Sequence, residues 1–427
     1  MRPPITAVVA ALIVLPSLIS YARQLAATLG KPTDFTAYFL ASRALSLGLD
    51  PYHRETLESL EAAAGLSGPI GPYLYPPFFA LAVSPIAWLD YDFARTLWLA
   101  ASALALVVGL GLIGRETLTL LPVTYWPLVA AVLALFPALF DDLIKGQVTS
   151  MLLLLFAAAL LADRRGWSVV AGALVGVAAA IKLSPLLFGL YWLARREWRA
   201  AVAAVGVLAG INVLTVLLIG FERHEAFLAR ARESAVSQYL LPENAALSGL
   251  FGRLLQPSVR TSPIIEAPWL AVGLTTIAVI IVLLSLLALT WFSARSGERR
   301  LPLEYGLVLV AMLLVSPYNH TYTLVLAIPA ALALLGELRQ GDFDWRLFDG
   351  LVVALILLAI PPVLMPAPLL ISGDFAMVYP SDSPRLLQIA LPAMNTLGLV
   401  LLFCLATRLR WRLLQEHRQS RLTGEDA

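Results

Sequence analysis

The sequence Thr33-Asp34-Phe35-Thr36-Ala37-Tyr38 opens a polar and aromatic stretch in a chain that is otherwise mostly apolar. The stretch continues through Gly48-Leu49-Asp50-Pro51-Tyr52-His53 and closes with Pro72-Tyr73-Leu74-Tyr75-Pro76-Pro77. It follows directly after the first apolar run, so Asp34 stands where a carboxylate meets both water and lipid headgroups. We therefore expect the chemistry of the protein in this interval.

Composition places the chain in a membrane. Of its 427 residues, 59% are hydrophobic and only 14% are charged, and the mean hydropathy is +0.82. This apolar fraction is well above that of soluble domains and predicts a polytopic integral membrane protein. A net charge of +2 gives no overall field that would attract nucleic acid, so we predict no nucleic-acid partner. The single cysteine, Cys404, cannot build a disulfide or a thiolate metal site, so redox chemistry has no support. The sequence assigns no cofactor and no metal ligand.

The apolar runs predict an all-α transmembrane bundle. A hydrocarbon core of about 30 Å needs about 20 apolar residues per helix, which gives about twelve candidate spans in this chain. They lie near 4–22, 73–89, 96–114, 119–139, 147–162, 168–194, 200–221, 269–292, 303–318, 321–337, 348–366 and 386–407. The first is interpreted as an uncleaved helix, since no small-residue cleavage motif follows it. The run 168–194 is overlong and is interrupted at Lys182 to Pro185, so it is either one span or two half-helices.

Basic clusters between the runs predict the orientation. Clusters at 195–199, 295–300, 339–346 and 408–421 lie near span ends and indicate the cytoplasmic side. With an even number of spans, the loops 23–72, 222–268 and 367–385 then lie together on the outer face. The transmembrane domain is predicted over 1–407, and residues 408–427 form a basic cytoplasmic tail. Asp163-Arg164-Arg165 conflicts with this count, because the count places that cluster outside.

The first outer loop is predicted to contain two short helices at the membrane surface. Apolar residues recur at helical spacing from Phe35 to Leu47, with Asp34 as a candidate N-cap and Gly48 as a stop. A second helical segment is predicted over Glu55 to Ala64. The loop 222–268 is longer than an ordinary connection, which favours a lid or a binding surface.

Asp34 has two interpretations. A partly buried carboxylate beside the membrane surface can act as a general base that removes a proton from a hydroxyl. An aspartate just before a helix is also a common N-cap without any catalytic role. The residues alone leave both open, whereas Asp50, which precedes Pro51, is more simply a turn residue.

Several cationic or titratable residues are candidates for contact with a phosphate. Lys182 lies in a long apolar run, where it either binds a lipid phosphate or extends its amine to the interface. His320 lies in a polar island between two apolar runs. It is either a structural histidine or a residue that donates a hydrogen bond to a phosphate or shuttles a proton. Arginine and histidine side chains on the outer loops could also neutralise a phosphate: Arg43, His53, Arg54 and Arg253. Asp141-Asp142 is either an ordinary loop or a divalent-metal site.

The chain resembles the GT-C superfamily of integral-membrane glycosyltransferases, and within it family 87, the DUF2029 proteins. The resemblance rests on an ordered series of short matches that extends over most of the chain. They are Asp34-Phe35 with Tyr38 and Ala41, Gly48 to Tyr52, Tyr73 to Phe78, Gly146-Gln147, Ala171 to Gly176 leading to Lys182 and Pro185, Asn244 to Arg253, and Ser316 to His320. This family includes polyprenyl-phosphate-mannose-dependent mannosyltransferases.

The resemblance implies a catalytic acid in the first outer loop, a role that falls on Asp34. It implies transfer of a sugar, mannose first, from a polyprenyl-phosphate donor to a glycolipid or cell-envelope glycan, with inversion and on the outer face of the plasma membrane. The donor phosphate would then contact His320, Lys182, Arg253 and Arg43. Substrate contacts are expected from Tyr38, Tyr52, Tyr75, Gln147, Asn244 and Asn319. Membrane lipids are the remaining expected partners.

A membrane transporter or lipid flippase is the alternative function. Transporters commonly show internal repeats and ionisable groups at the middle of the membrane. In this sequence we find no convincing repeat, and the polar residues concentrate in the predicted outer loops. A noncatalytic scaffold would not need both the acid and the distant histidine island. These features favour the enzyme.

Overall fold

The computed structural model describes residues 3–28, 31–66, 68, 70–119, 126–258, 263–338, 344–360 and 385–423. Within these ranges every regular element is helical, as the sequence predicts. Almost all of the predicted outer loop 367–385 lies outside the described residues.

The described α-helices are numbered here in chain order. They are α1 (Pro3–Ala27), α2 (Asp34–Ser46), α3 (Arg54–Ala63), α4 (Pro77–Val83), α5 (Tyr91–Thr117), α6 (Trp126–Ala134), α7 (Pro137–Lys145), α8 (Thr149–Arg164), α9 (Ser168–Ile181), α10 (Leu187–Ala194), α11 (Trp198–Ile219), α12 (Glu222–Gln238), α13 (Leu247–Leu255), α14 (Pro268–Ser296), α15 (Leu301–Val315), α16 (Ile328–Glu337), α17 (Trp345–Ala359) and α18 (Arg385–Thr423). Short 3₁₀ turns occupy Ser84–Ile86, Ser184–Leu186 and Thr321–Ala327.

Helix length limits how many elements can cross a bilayer. In the described chain, five helices are long and apolar enough: α1, α5, α11, α14 and α18. The pair α6 and α7, bent by 62°, makes a sixth if it is one span. Each predicted apolar interval coincides with at least one helix, but helices such as α9 and α15 have 14 and 15 residues. At 1.5 Å per residue they reach roughly 21–23 Å, which is less than a hydrocarbon core. The predicted count of about twelve spans is therefore not reached by single helices.

The run 168–194 folds as a hairpin of two half-helices. α9 ends at Ile181, and Lys182 takes an extended conformation with φ −147° and ψ 129°. α9 and α11 lie side by side in the same direction, because Gly172 lies against Ala200 and Gly176 lies against Ala204. Two parallel helices begin at the same end of the bundle. α10, which connects them, must therefore return the chain to that end.

A buried ionic cluster marks this end of the molecule. Arg410 contacts Glu298 at 2.7 Å and Glu304 at 2.9 Å, and Arg195 also pairs with Glu304. The Tyr305 hydroxyl, next along the chain from Glu304, donates to the Asp163 carboxylate at 3.1 Å. The cluster Asp163-Arg164-Arg165 thus lies at the same end as the other basic clusters, and the count that placed it on the opposite face is wrong. Counted from the N-terminus, that error lies in the interval 73–89, which was counted as a crossing. α4 in this interval has only 7 residues, and Tyr91 at the start of α5 still contacts Thr36 of α2.

α18 is continuous across the predicted boundary between the transmembrane domain and the basic tail. It runs to Thr423, and the Arg410 side chain is only 1% exposed within the ionic cluster. At least the first part of the predicted tail is therefore packed into the bundle.

The opposite end of the bundle carries the candidate site. Thr149 and Asp163 are separated by 14 residues of α8, or roughly 21 Å of helix axis. Gln147 lies just before α8 at one end, whereas Asp163 lies in the ionic cluster at the other.

Candidate active site

Asp34 is the first residue of α2 and does not cap it. The preceding residue, Thr33, has the extended conformation of an N-cap, and its N–H donates to the Thr36 hydroxyl at 2.8 Å. The predicted N-cap role of Asp34 is therefore wrong by one residue. The Asp34 carboxylate is half-buried and is free to make a tertiary contact.

A close approach of two chain segments places a partner next to Asp34. Gly146 ends α7 with φ +67°, and a Cβ atom there would lie 2.8 Å from the Cβ of Phe35. The Trp98 indole donates to the Gly146 carbonyl at 2.8 Å and stacks on Phe35 with ring centroids 5.5 Å apart. Because glycine tolerates both the positive φ and the contact, Gln147 reaches the start of α2.

Gln147 holds the Asp34 carboxylate. Its Nε2 donates to Asp34, while its Oε1 accepts the Tyr38 hydroxyl at 2.7 Å and the Tyr75 hydroxyl at 2.9 Å. Two phenol donors on the carbonyl side of the amide fix the orientation in which the NH₂ faces the acid. The Tyr52 hydroxyl in turn donates to the Tyr75 carbonyl at 2.7 Å. The three tyrosines and Gln147 thus form a scaffold for Asp34, and their direct contact with substrate stays a prediction.

Lys145 is a cation that the sequence analysis did not select. Its ammonium pairs with Asp141 at 3.0 Å and lies 3.5 Å from His320 Nε2. The Thr321 hydroxyl donates to Asp141 at 3.0 Å, and the His320 ring stacks on Tyr322 with centroids 4.4 Å apart. The sequence signal that could have identified Lys145 is its position two residues before Gln147, in a polar interruption between two apolar runs. We refer to Asp34, Asp141, Lys145, Gln147 and His320 as the Asp34 cluster.

The local environment shifts the pKa values of Asp34 and His320. Burial raises the pKa of Asp34, an effect that the Lys145 charge and the Gln147 hydrogen bond partly oppose. Burial also lowers the pKa of His320 well below its ordinary value, with further lowering from Lys145 and Lys182. The neutral form of His320 is therefore favoured, and the positive charge near Asp34 comes from Lys145.

Asp141 and Asp142 do not act as a pair. Asp142 is fully buried and accepts the Ser150 N–H at 3.1 Å together with the Ser150 hydroxyl, whereas Asp141 faces Lys145. Over the described ranges, no group of three or more His, Cys, Asp or Glu residues is placed to hold a metal ion. The alternative of a divalent-metal site at this aspartate pair gains no geometric support.

Lys182 lies near the Asp34 cluster, at the break between α9 and α10. Lys182 is half-buried, and its positive charge contributes to the lowered pKa of His320. Arg43 lies nine residues beyond Asp34 in the last turn of α2, roughly 13 Å along the helix axis. Contact of Lys182 or Arg43 with a phosphate stays a prediction.

Asn244, Asn319 and Arg253 hold the loop beside the cluster. Asn244 Oδ1 accepts the Asn319 N–H at 2.9 Å, and its amide donates to the Pro317 carbonyl at 3.4 Å. The Arg253 guanidinium is 2% exposed and donates to the carbonyls of Leu241 and Asn244, each at 2.8 Å. These contacts favour a structural role for Arg253, and its contact with phosphate stays a prediction.

Several apolar helices indicate an integral membrane protein, and one end of its bundle carries a half-buried acid beside the Lys145 charge. Residues 73–317, more than half of the chain, match the sequence profile of glycosyltransferase family 87. The chain therefore belongs to glycosyltransferase family 87 and is a glycosyltransferase, which answers the transporter alternative. Lys145, Gln147 and Lys182 lie inside the matched interval, whereas Asp34 precedes it and His320 follows it.

Characterised relatives fall into two groups. A polyprenol-phosphate-mannose-dependent alpha-(1-2)-phosphatidylinositol pentamannoside mannosyltransferase of Mycolicibacterium smegmatis is 26% identical over 68% of this chain and 67% of the relative. A polyprenol-phosphate-mannose-dependent alpha-(1-2)-phosphatidylinositol mannoside mannosyltransferase of Mycobacterium tuberculosis is 27% identical over 70% of this chain and 68% of the relative. An alpha-(1->3)-arabinofuranosyltransferase of Corynebacterium glutamicum is 24% identical over 73% of this chain and 69% of the relative. No solved structure matches the chain significantly.

Proposed function

We propose that the protein transfers mannose from a polyprenyl-phosphate donor to a hydroxyl of a glycolipid or cell-envelope glycan, with inversion and with Asp34 as the general base. The observation that carries this proposal is the environment of the Asp34 carboxylate. Gln147 donates a hydrogen bond to it, and the positive charge of Lys145 partly opposes the rise of its pKa. The acid is half-buried, so it combines a restricted environment with access from outside.

The proposed step needs one base and a stabilised leaving group. The acceptor oxygen attacks the anomeric carbon while its proton passes to Asp34. The new carbon–oxygen bond forms as the bond from the anomeric carbon to the phosphate oxygen breaks, and the electron pair leaves with the polyprenyl phosphate. Attack from the face opposite the phosphate inverts the anomeric configuration. A second carboxylate for protonating the leaving group, as in glycoside hydrolysis, is not required, since phosphate is already a stable anion.

The proposed phosphate contacts are Lys145, Lys182 and His320. Charge that grows on the departing phosphate is stabilised by fixed cations in a poorly hydrated site. Lys145 and His320 lie within 3.5 Å of each other, so one phosphate can contact both. The neutral His320 ring would serve as a hydrogen-bond donor.

Mannose is the first choice of sugar because the two mannosyltransferase relatives use a polyprenol-phosphate-mannose donor by name. The arabinofuranosyltransferase relative keeps a pentofuranose as the second choice. The names of the same two mannosyltransferases support a glycolipid acceptor. Parallel assays with both sugars on the same polyprenyl phosphate decide between them.

The proposed location is the outer face of the plasma membrane. Arginine-rich ends of membrane helices are retained in the cytoplasm, and the ionic cluster with its flanking arginines lies at the opposite end of α8 from Gln147. The surface helices α2 and α3 would then lie on the outer side, where a lipid-linked donor enters from the bilayer.

The decisive experiment is transfer from labelled polyprenyl-phosphate mannose by the full chain in lipid. We expect Asp34→Asn to lower the rate by about 100-fold or more, in the range of general-base catalysis. A variant that keeps more than about a tenth of the wild-type rate, a barrier change of only about 1.4 kcal/mol, would exclude the general base. Donor movement without sugar transfer would instead support a lipid transporter.

The same substitution should not unfold the protein. Because burial raises the pKa of Asp34, stability falls as pH rises from its ordinary pKa through its folded pKa, and the cost is complete above that window. The Asp34→Asn variant lacks this cost. Its Tm at neutral pH should therefore equal or exceed that of the wild type, and a lower Tm would mean that the rate loss reports damage to the fold.

A further inference from the structure

Glu243 is a buried carboxylate without a partner beside the Asp34 cluster. Its residue is 3% exposed, and neither carboxylate oxygen has a hydrogen-bond partner. Burying an ionised carboxylate without hydrogen bonds or a paired cation is costly. A carboxylate kept in this condition is expected to meet a ligand that supplies the missing donors.

The position of Glu243 is fixed by its neighbour. Asn244 binds the chain at Pro317 and Asn319, so the Glu243 segment lies against the segment that contains Tyr318 and His320. The Tyr318 and His320 rings contact edge to face with centroids 6.1 Å apart. The Glu243 charge lies within electrostatic reach of the Tyr318 phenol and the Lys145 ammonium. The carboxylate therefore faces the region where the donor would lie.

The chemistry of the group selects the ligand. Lys145 is already paired with Asp141 at 3.0 Å, and a second acid here repels phosphate. Two carboxylate oxygens without donors suit two hydroxyl groups on adjacent carbons. The sugar of the donor is joined to the phosphate that Lys145 and His320 would hold, which brings sugar hydroxyls to this side of the cluster.

We propose that Glu243 binds a pair of adjacent hydroxyls on the donor sugar and thereby determines which sugar is transferred. This proposal rests on the proposed function, because it assigns the sugar subsite of the same site. Glu243 takes no proton in the reaction and forms no bond to the anomeric carbon. Its effect is to orient the ring and to disfavour donors that lack either hydroxyl.

The test compares complete donors with donors that lack one ring hydroxyl. Wild-type enzyme should lose at least about tenfold in kcat/KM when a hydroxyl bound by Glu243 is absent, as expected for a polar group left unpaired. For Glu243→Gln, the kcat/KM for the complete donor should fall by a similar factor. In this variant, kcat/KM for the deoxy donor should be less than about threefold below kcat/KM for the complete donor. Equal discrimination by variant and wild type would overturn the proposal.

A matched control and a stability measurement separate this role from a structural one. Glu61 on α3 is also buried, with one carboxylate oxygen lacking a partner, so Glu61→Gln makes the same chemical change away from the cluster. That control should keep wild-type discrimination. Glu243→Gln should keep or raise Tm, since it removes a buried charge. A large fall in Tm or failure to fold would show that the carboxylate has a structural partner, and would overturn the proposal.

A separate outcome applies to the proposed function. If wild-type enzyme transfers no sugar from any polyprenyl-phosphate donor, the proposed function fails, and the sugar subsite fails with it. If the wild type transfers the complete sugar but Glu243→Gln discriminates as the wild type does, only the sugar subsite fails. If the lost discrimination concerns deoxy acceptors instead of deoxy donors, the hydroxyl pair belongs to the acceptor and the donor assignment is wrong.

Discussion

At the residue scale, the state of Asp34 depends on Gln147. The Gln147 amide is 3% exposed and has one acceptor on its NH₂ side, which is Asp34, and two phenol donors on its carbonyl side. A donor aimed at the ionised form of an acid lowers its pKa and fixes its orientation. Gln147 is thus a positioning residue that acts through Asp34.

Replacing Gln147 should change the pH dependence of the enzyme. In Gln147→Leu the ionised Asp34 loses its hydrogen bond, so the pKa of Asp34 rises further and the acidic limb of kcat moves to higher pH. At neutral pH we expect kcat to fall about 10- to 100-fold, in the range of a disturbed general base, with a smaller change in KM. The measurement is a pH–rate profile with the labelled donor.

A matched change supplies the control for this experiment. Gln24 on α1 donates to the Ser20 hydroxyl within its own helix at 3.2 Å, and Gln24→Leu should leave the profile unchanged. A Gln147→Leu profile that falls in height without any movement of the acidic limb would argue against the positioning role.

At the element scale, the contact between α9 and α11 sets the direction of the chain through the middle of the bundle. A Cβ atom on Gly176 would lie 2.6 Å from the Ala204 carbonyl oxygen, too close for any real side chain. Small residues at such contacts let helix backbones pack closely in membranes. The parallel packing, and hence the placement of Lys182 at the site end, depends on this contact.

The glycine contact predicts a loss of stability. Gly176→Ala should destabilise the protein by about 1–3 kcal/mol, the usual cost of overpacking, and this is checked by thermal unfolding in detergent. Gly206 on α11 has open space around its Cβ position, so Gly206→Ala is the matched control and should leave Tm unchanged or higher. Equal behaviour of both variants would mean that α9 and α11 are not packed in this register.

At the scale of the whole molecule, the arginine-rich end and the Asp34 end should lie on opposite sides of the membrane. Ser59 on α3 and Arg165 after α8 are both exposed and mark the two ends. In a Cys404→Ser background, Ser59→Cys should react with a membrane-impermeant maleimide on intact cells. Arg165→Cys should react only after permeabilisation. The reverse pattern would place the site on the cytoplasmic side.

The sequence by itself determined the class of the molecule and the identity of its local elements. Long apolar runs require a membrane and helices, because backbone groups in lipid must be bonded within the chain. The start of α2 near Asp34 and its stop near Gly48 follow from signals within a few residues, so their prediction held to within one or two positions. The interruption at Lys182 is also visible in the sequence, which left one span and two half-helices both open. The ordered motifs also gave the family correctly.

Tertiary structure alone decided which side chains meet and how the run 168–194 is threaded. Gln147 contacts Asp34 across 113 positions, and Lys145 contacts His320 across 175. Such contacts depend on how helices pack, and no local pattern encodes their pairing. The same reason explains why 168–194 was counted as one span. A hairpin of two half-helices and a single kinked span share one hydropathy profile, and the parallel contact of α9 with α11 distinguishes them.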